Sequence, residues 1–291
     1  MIKKNNLYKY RLPKYLSILA IKELLQSLSS DKVSRFSFSE NYLEKFIIFL
    51  KSQKLSYIVS DPVYMKFVDK KKNWANQSFD KYKRGLDKSY YIYFGKEKSK
   101  VTTAFHCECK NDHNKLGTLL HIPKCCIKKF KSNLKILKKN NYDFIPQVIE
   151  DSRNINHPYN FYNNIFYQFE GYSLLSYAPC SFKCSASLIY GKKSLKLIKM
   201  YNKKIFNNLK SKLILSCVYF KNYEPIFFSF QKVKQKLFKL KIKNLDFNFK
   251  KKFGPFRETY LEWENNNNFV FNNIKFQKYV KKKEGRVNLF I

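Results

Sequence analysis

Leu116-Gly117-Thr118-Leu119-Leu120-His121-Ile122-Pro123-Lys124-Cys125-Cys126-Ile127-Lys128-Lys129-Phe130 sets two adjacent cysteines just after a proline that can open a helix. Proline suits the first helical position, where the missing N–H costs nothing and φ is preset. Both thiols then fall in the first turn, where the positive end of the helix macrodipole favours thiolate. The spacing predicts a helix from Pro123 to about Lys139, with Cys126, Phe130, Leu134 and Leu137 on one side and Asn140-Asn141 ending it. A second group, Ala178-Pro179-Cys180-Ser181-Phe182-Lys183-Cys184, precedes another long helical pattern from Phe182 to about Leu209, whose apolar side is Leu188, Leu195, Ile198 and Tyr201.

Outward from these two helix starts, residues 12–29 read as an amphipathic helix through Leu16, Leu19, Ala20, Leu24 and Leu28. Ser37 or Ser39 can cap a second helix, with Tyr42, Leu43, Phe46, Ile47 and Leu50 on one face. Asp61-Pro62 breaks the pattern, and Asp69 to Asn73 is a charged turn before Trp74. Tyr90–Phe94 and Val101–Phe105 flank Gly95–Lys100 and read as a hairpin with a longer loop. On such a strand Cys107 and Cys109 would share a face. Beyond Leu213 the pattern turns to strands: Leu213–Phe220, Pro225–Phe230, Leu237–Phe249, Thr259–Trp263, Phe269–Phe271 and Val287–Phe290, with Asn265–Asn268 as a hairpin loop. The class is α+β: N-terminal helices and a hairpin, central Cys-bearing helices, and C-terminal antiparallel strands. The expected division is 1–88, an N-terminal helical region; 89–212, a cysteine-motif core; and 213–291, an antiparallel β region.

With 291 residues, 44% hydrophobic, and 28 Phe and 22 Tyr, the chain has ample material for a core, which argues against global disorder. Its formal charge of +37 would ordinarily point to a polyanion such as nucleic acid. Lysine far outnumbers arginine, however, and Asn, Ile, Phe and Tyr are abundant with it. These residues share A/T-rich codons, so the base composition of an AT-rich genome accounts for much of the charge. Seven cysteines, an odd number in no regular framework, fit poorly with a disulfide scaffold. Met1-Ile2-Lys3-Lys4-Asn5 is basic, but no apolar core follows it, so no export signal is expected. No apolar run approaches a membrane span. These features point to the cytoplasm and to no membrane partner.

The chemistry rests on the cysteines. Zinc and other thiolate-bound metals need several soft donors converging, usually from more than one segment. Cys180 and Cys184, four apart, share a face if a helix begins near Cys180. Cys125 and Cys126 would point about 100° apart on a helix, so one of them is expected to face a given ion. A disulfide between them is disfavoured, because a trans peptide holds adjacent Cα atoms at about 3.8 Å, below the usual disulfide range. The candidate ligands are Cys125, Cys126, Cys180 and Cys184 with a histidine, His157 first and His121 second. The spacing is not that of a zinc finger, since no CxxC pair occurs. Nor is there a P-loop, a Gly-rich dinucleotide turn, a nucleophile elbow or an HExxH.

Leu116–Cys126 followed by Phe130 resembles the L-G-x-L-L-G-x-P-x-C-C…F signature of an uncharacterised prokaryotic family, domain of unknown function 483. Asn163-Asn164 and Pro179–Ser187 resemble its later N-N…P-C-x-x-x-C-x-x-S element. The resemblance covers roughly residues 100–210 and departs from the signature at His121, where glycine is expected for a tight turn. It supports a cysteine site and implies no reaction. Two readings stand on the sequence. One is a protein with a Cys/His cluster that binds a metal or works through reactive thiolates, with enzymatic activity left open. The other is a basic nucleic-acid-binding protein whose cysteines are structural, with Lys196, Lys199 and Lys203 on one helix face.

Overall fold

Ser17 opens the first helix, α1 (Ile18–Ser29), its hydroxyl accepting from the Ala20 amide at 3.2 Å. Every residue from Leu19 to Leu28 is buried, so this helix runs through the interior, although Lys22, Glu23 and Gln26 interrupt its apolar surface. The computed structural model describes residues 11–61, 63–67, 77–80, 88–139, 144–152, 159–168, 171–220, 223–232, 237–242, 260–265, 268–271 and 286–288, with positions 278, 280 and 290. Among them, no helix is long and apolar enough to cross a membrane.

Around α1 the chain builds a five-stranded antiparallel sheet from β1 (Ser34–Ser39), β2 (Ser56–Val59), β3 (Val63–Phe67), β4 (Gln77–Asp80) and β5 (Lys88–Gly95). β5 is its centre. It pairs with β1 on one edge (Ser34 with Phe94) and with β2, then β3, on the other (Tyr57 with Phe94, Val63 with Ser89). Helix α2 (Glu40–Ser52) follows β1 directly, burying Phe46 and Leu50. The region 1–88 thus carries four strands besides the two expected helices. The segment Asp69–Trp74 lies outside the described residues.

The expected hairpin is corrected. β5 is its first arm, but Val101–Phe105 lies in helix α3 (Lys98–Cys109). Val101, Ala104 and Cys107, three apart, form that helix's buried face, against Val33, Tyr93 and Leu116. Burial of this stripe outweighs the β preference of Val101-Thr102-Thr103. Cys107 is therefore buried and Cys109 exposed, and they do not share a face.

Helix α4 (His113–Leu119) leads into α5 (Lys124–Lys139), whose bounds match the expected helix closely. Between them His121 adopts φ 55°, the left-handed conformation glycine would take, so the tight turn forms without glycine. Gly117 lets α4 meet α5: a Cβ there would stand 2.7 Å from the Ile127 side chain. After α6 (Ile145–Glu150), the second long helical pattern appears as two helices, α7 (Ser185–Tyr201) and α8 (Lys203–Leu213). Asn202 separates them. It leaves the helical conformation, and its side chain caps α8 by accepting from the Ile205 amide at 3.0 Å.

The C-terminal part is the antiparallel sheet expected. Its order is β10-β9-β8-β7-β6-β11, built from β6 (Ser216–Phe220), β7 (Tyr223–Lys232), β8 (Leu237–Ile242), β9 (Tyr260–Asn265), β10 (Asn268–Phe271) and β11 (Arg286–Asn288). Two larger apolar clusters hold the fold. One joins α1 and α2 to the first sheet and to α7 and α8. The other joins the starts of α5 and α7 to α6, the 159–184 stretch and β6 and β7.

Candidate metal centre

Cys184 is the N-cap of α7, and Cys125 and Cys126 occupy the first turn of α5. Side chains lean toward the N-terminus of a helix, so thiols in a first turn project past the helix end. The two helix starts face each other, and their sulfurs meet in the gap. The Sγ of Cys125 lies 3.6 Å from that of Cys184, and the Sγ of Cys126 lies 3.7 Å from it. The Cys125 and Cys126 sulfurs are 3.9 Å apart. Cys180 completes a group in which all ligand atoms lie within 4.8 Å of one another. Four cysteines in this arrangement can hold a metal ion.

Both members of the adjacent pair reach the site, where helix geometry alone leaves one or both open. Cys180 is not helical. α7 starts only at Ser185, so Cys180 joins Cys184 across a turn, in which the Cys184 amide donates to the Ser181 carbonyl at 3.1 Å. His157 lies outside the described residues. His121 points elsewhere, its Nε2 3.6 Å from Asp31 Oδ1. Among the described residues, Cys107, Cys109 and Cys217 do not belong to the group.

The turn between Cys180 and Cys184 is anchored at Phe182, which is fully buried. Its ring stacks on Tyr159 and Phe166 (centroids 5.0 and 5.6 Å) and meets Phe290 edge-on. Its amide donates to Ser152 Oγ at 3.0 Å, and its carbonyl accepts from Asn163 Nδ2 at 3.0 Å. Asn163 Nδ2 also donates to the Cys184 carbonyl at 3.3 Å, while Asn164 Nδ2 bridges the carbonyls of Leu213 and Leu215 at 2.7 and 3.0 Å. The two asparagines thus tie the irregular segment to the start of α7 and the end of α8. If the group holds a metal, Asn163→Leu is expected to weaken its binding roughly tenfold, because two hydrogen bonds that fix the Cys184 turn are lost. Competition against a chromophoric chelator measures it, and an unchanged affinity would reduce Asn163 to a packing role.

The surroundings favour negative charge on sulfur. The positive ends of α5 and α7 both point at the group. The Cys180 amide lies 3.4 Å from the Cys126 sulfur. Ser187 Oγ is 3.3 Å from the same sulfur and itself accepts from the Tyr177 hydroxyl at 3.2 Å. Ser187 thus has a proton to give to a Cys126 thiolate, a hydrogen bond that steadies a ligand sulfur. Without an ion the four thiols cannot all ionise. Hydrogen bonds from Cys126 and then Cys180 hold Cys184 well below the usual thiol range. The same contacts, with Cys180 and Cys184, raise Cys126. Contact with Cys126 favours the Cys180 thiolate, but Cys184 and burial outweigh it and push Cys180 up to about 12. A divalent ion would replace the shared protons.

Sequence reasoning missed Tyr177, and it placed Ser187 and Asn163 in the second motif without giving either a role. It also missed a buried ionic group on α1, in which Lys22 and Lys32 flank Glu23 at 2.6 Å each. The available signal was Lys22-Glu23 standing inside an otherwise apolar helical pattern. Comparison of the chain with protein-family models, with curated proteins and with solved structures gives no match.

Proposed function

We propose that the protein binds one zinc ion through Cys125, Cys126, Cys180 and Cys184 as a tetrahedral tetrathiolate, and that this ion clamps the starts of α5 and α7 together. One observation carries the reading. Four sulfurs at about 2.3 Å from a tetrahedral ion stand about 3.8 Å from one another; those of Cys125, Cys126 and Cys184 are 3.6, 3.7 and 3.9 Å apart, and the Cys180 sulfur lies within 4.8 Å of each of them. An iron–sulfur cube is a poorer match, because each of its cysteines binds a different iron and must stand farther from the next. Four protein ligands close the coordination sphere and leave no position for substrate, which favours a structural ion over a catalytic one. The resemblance to domain of unknown function 483 belongs to this reading, since its two cysteine motifs supply the ligands. All seven cysteines are free of disulfides, which suits a reducing compartment such as the cytoplasm.

Purified protein is expected to carry one equivalent of zinc. Exchange with cobalt(II) should give the intense visible ligand-field bands of tetrahedral sulfur coordination and a sulfur-to-metal charge-transfer band. An octahedral cobalt spectrum, or a metal content unrelated to protein concentration, would overturn the assignment.

A further inference from the structure

Lys22 and Glu23 of α1, with Lys32 beyond its end, form an ionic group in the interior that has formally one positive charge in excess. Lys22, Glu23 and Lys32 are at most 2% exposed, and two ammonium groups share the single Glu23 carboxylate. Lys22 Nζ otherwise donates to the Leu174 carbonyl at 3.2 Å. Lys32 Nζ otherwise meets only neutral acceptors, Gln26 Oε1 at 2.6 Å and the Tyr190 hydroxyl at 2.8 Å. The Tyr190 ring lies 5.5 Å from both ammonium groups. An excess charge held away from water is costly unless something neutralises it. Burial accordingly pulls the Lys32 ammonium below its ordinary value.

A cavity of about 430 Å³ opens directly on this group, within the range of about 300–1,000 Å³ for small-molecule sites. Gln26, Lys32 and Tyr190 form its buried polar end, and Ala186, Ile189 and Leu197 of α7 line it with Pro123. Lys193 and His121 stand at the exposed edge, His121 beside Asp31, and among the described residues no carboxylate lines the cavity itself. We propose that this cavity binds a small organic monocarboxylate, its apolar body against α7 and its carboxylate between Lys32 and Lys193. The single excess charge of the Lys22–Glu23–Lys32 group matches one carboxylate, and the aliphatic wall calls for an organic body rather than a bare ion. The polar end can accept it. Gln26 Oε1 receives hydrogen bonds from both Lys32 Nζ and the Tyr190 hydroxyl (2.6 and 2.9 Å), so a ligand oxygen takes over one donor without orphaning the amide. This site does not depend on the zinc assignment.

The test uses the full-length chain, with calorimetric titration and thermal shift against 4-methylpentanoate and phenylacetate. Controls are the neutral 4-methylpentanamide and inorganic phosphate. The carboxylates are expected to bind with a Kd in the millimolar range or tighter, on the order of 1 mM, and to raise the melting temperature. The amide and phosphate should bind at least tenfold more weakly. Lys193 and Ile189 are exposed on α7, so their replacement leaves the fold intact. Lys193→Gln should weaken carboxylate binding about tenfold, and Ile189→Trp, which fills the cavity, should abolish it. Metal content measured on the same samples should not change. Absence of carboxylate binding, equal binding of the amide or of phosphate, or wild-type binding by both variants would each overturn the proposal.

Discussion

Cys184→Ser is expected to release the metal and to lower the melting temperature by about 10 °C or more. Cys184 is the sulfur that joins the two helix starts, lying 3.6 and 3.7 Å from the Cys125 and Cys126 sulfurs. Serine is nearly the same size but a harder and poorer ligand for a thiophilic ion. A structural ion contributes folding free energy directly. Losing one belongs with the largest single-site effects, on the order of 4–5 kcal/mol, and a chain of this size loses roughly 2–4 °C per kcal/mol. Cys217→Ser is the control. Cys217 is also fully buried, on β6 in the same apolar cluster, but it is not in the sulfur group. That variant should keep its metal and lose only the cost of a buried hydroxyl, about 1–3 kcal/mol. A chelator should then bring the wild type and Cys217→Ser down toward the stability of Cys184→Ser, while leaving Cys184→Ser unmoved. Equal metal content in the two variants, or a chelator without effect on the wild type, would reduce the four cysteines to core residues.

The site was legible where local chemistry and long-range packing agree. A proline before Cys125-Cys126 predicts the helix start that α5 makes, and the alternating runs beyond Leu213 become the second sheet. That two separate helix starts converge was also readable, because thiolates gather at such ends. What was not readable depends on partners distant in sequence. Ser187 stands in the second motif, but its contact with Cys126 exists only because α7 brings the two together. Val101–Phe105 is rich in strand formers yet helical, since Val101, Ala104 and Cys107 have a core to face. β1 was open to a closer reading. From Arg35 to Ser39, Arg35-Phe36-Ser37-Phe38-Ser39, the polar and apolar residues alternate, the period of a strand, although the residues following Ser39 do form the helix expected there. The His121 turn shows the converse: the backbone takes the left-handed conformation that favours glycine with another residue in place.

Glu23→Gln is expected to be the most damaging neutralisation on α1, and the reason lies in what it leaves behind. Two ammonium groups, from Lys22 and Lys32, would remain buried beside each other without a carboxylate, and the glutamine NH2 would face an ammonium whichever oxygen it replaced. Breaking one buried pair costs about 3–5 kcal/mol, and here one carboxylate serves two cations. Lys32→Met should cost less, because a one-to-one pair of Lys22 and Glu23 survives. The triple replacement Lys22→Met, Glu23→Leu, Lys32→Met removes every charge and should be close to the wild type or up to about 1–4 kcal/mol more stable, as when other buried ion groups are replaced by apolar residues. Acid gives a second readout. Burial alone would raise the Glu23 carboxyl, but Lys22 and Lys32 outweigh it and hold the group well below its ordinary value. A carboxylate depressed in the folded state contributes stability that is complete above its unfolded pKa, about 4.3, and is lost as pH falls through the lower folded value. Denaturant unfolding of the wild type should therefore weaken from about pH 4 downward, and the triple variant should lack that part of the slope. If Glu23→Gln and the triple variant were equally unstable, the damage would come from lost volume in α1 rather than from unpaired charge, and the ionic group would have no electrostatic claim on the cavity beside it.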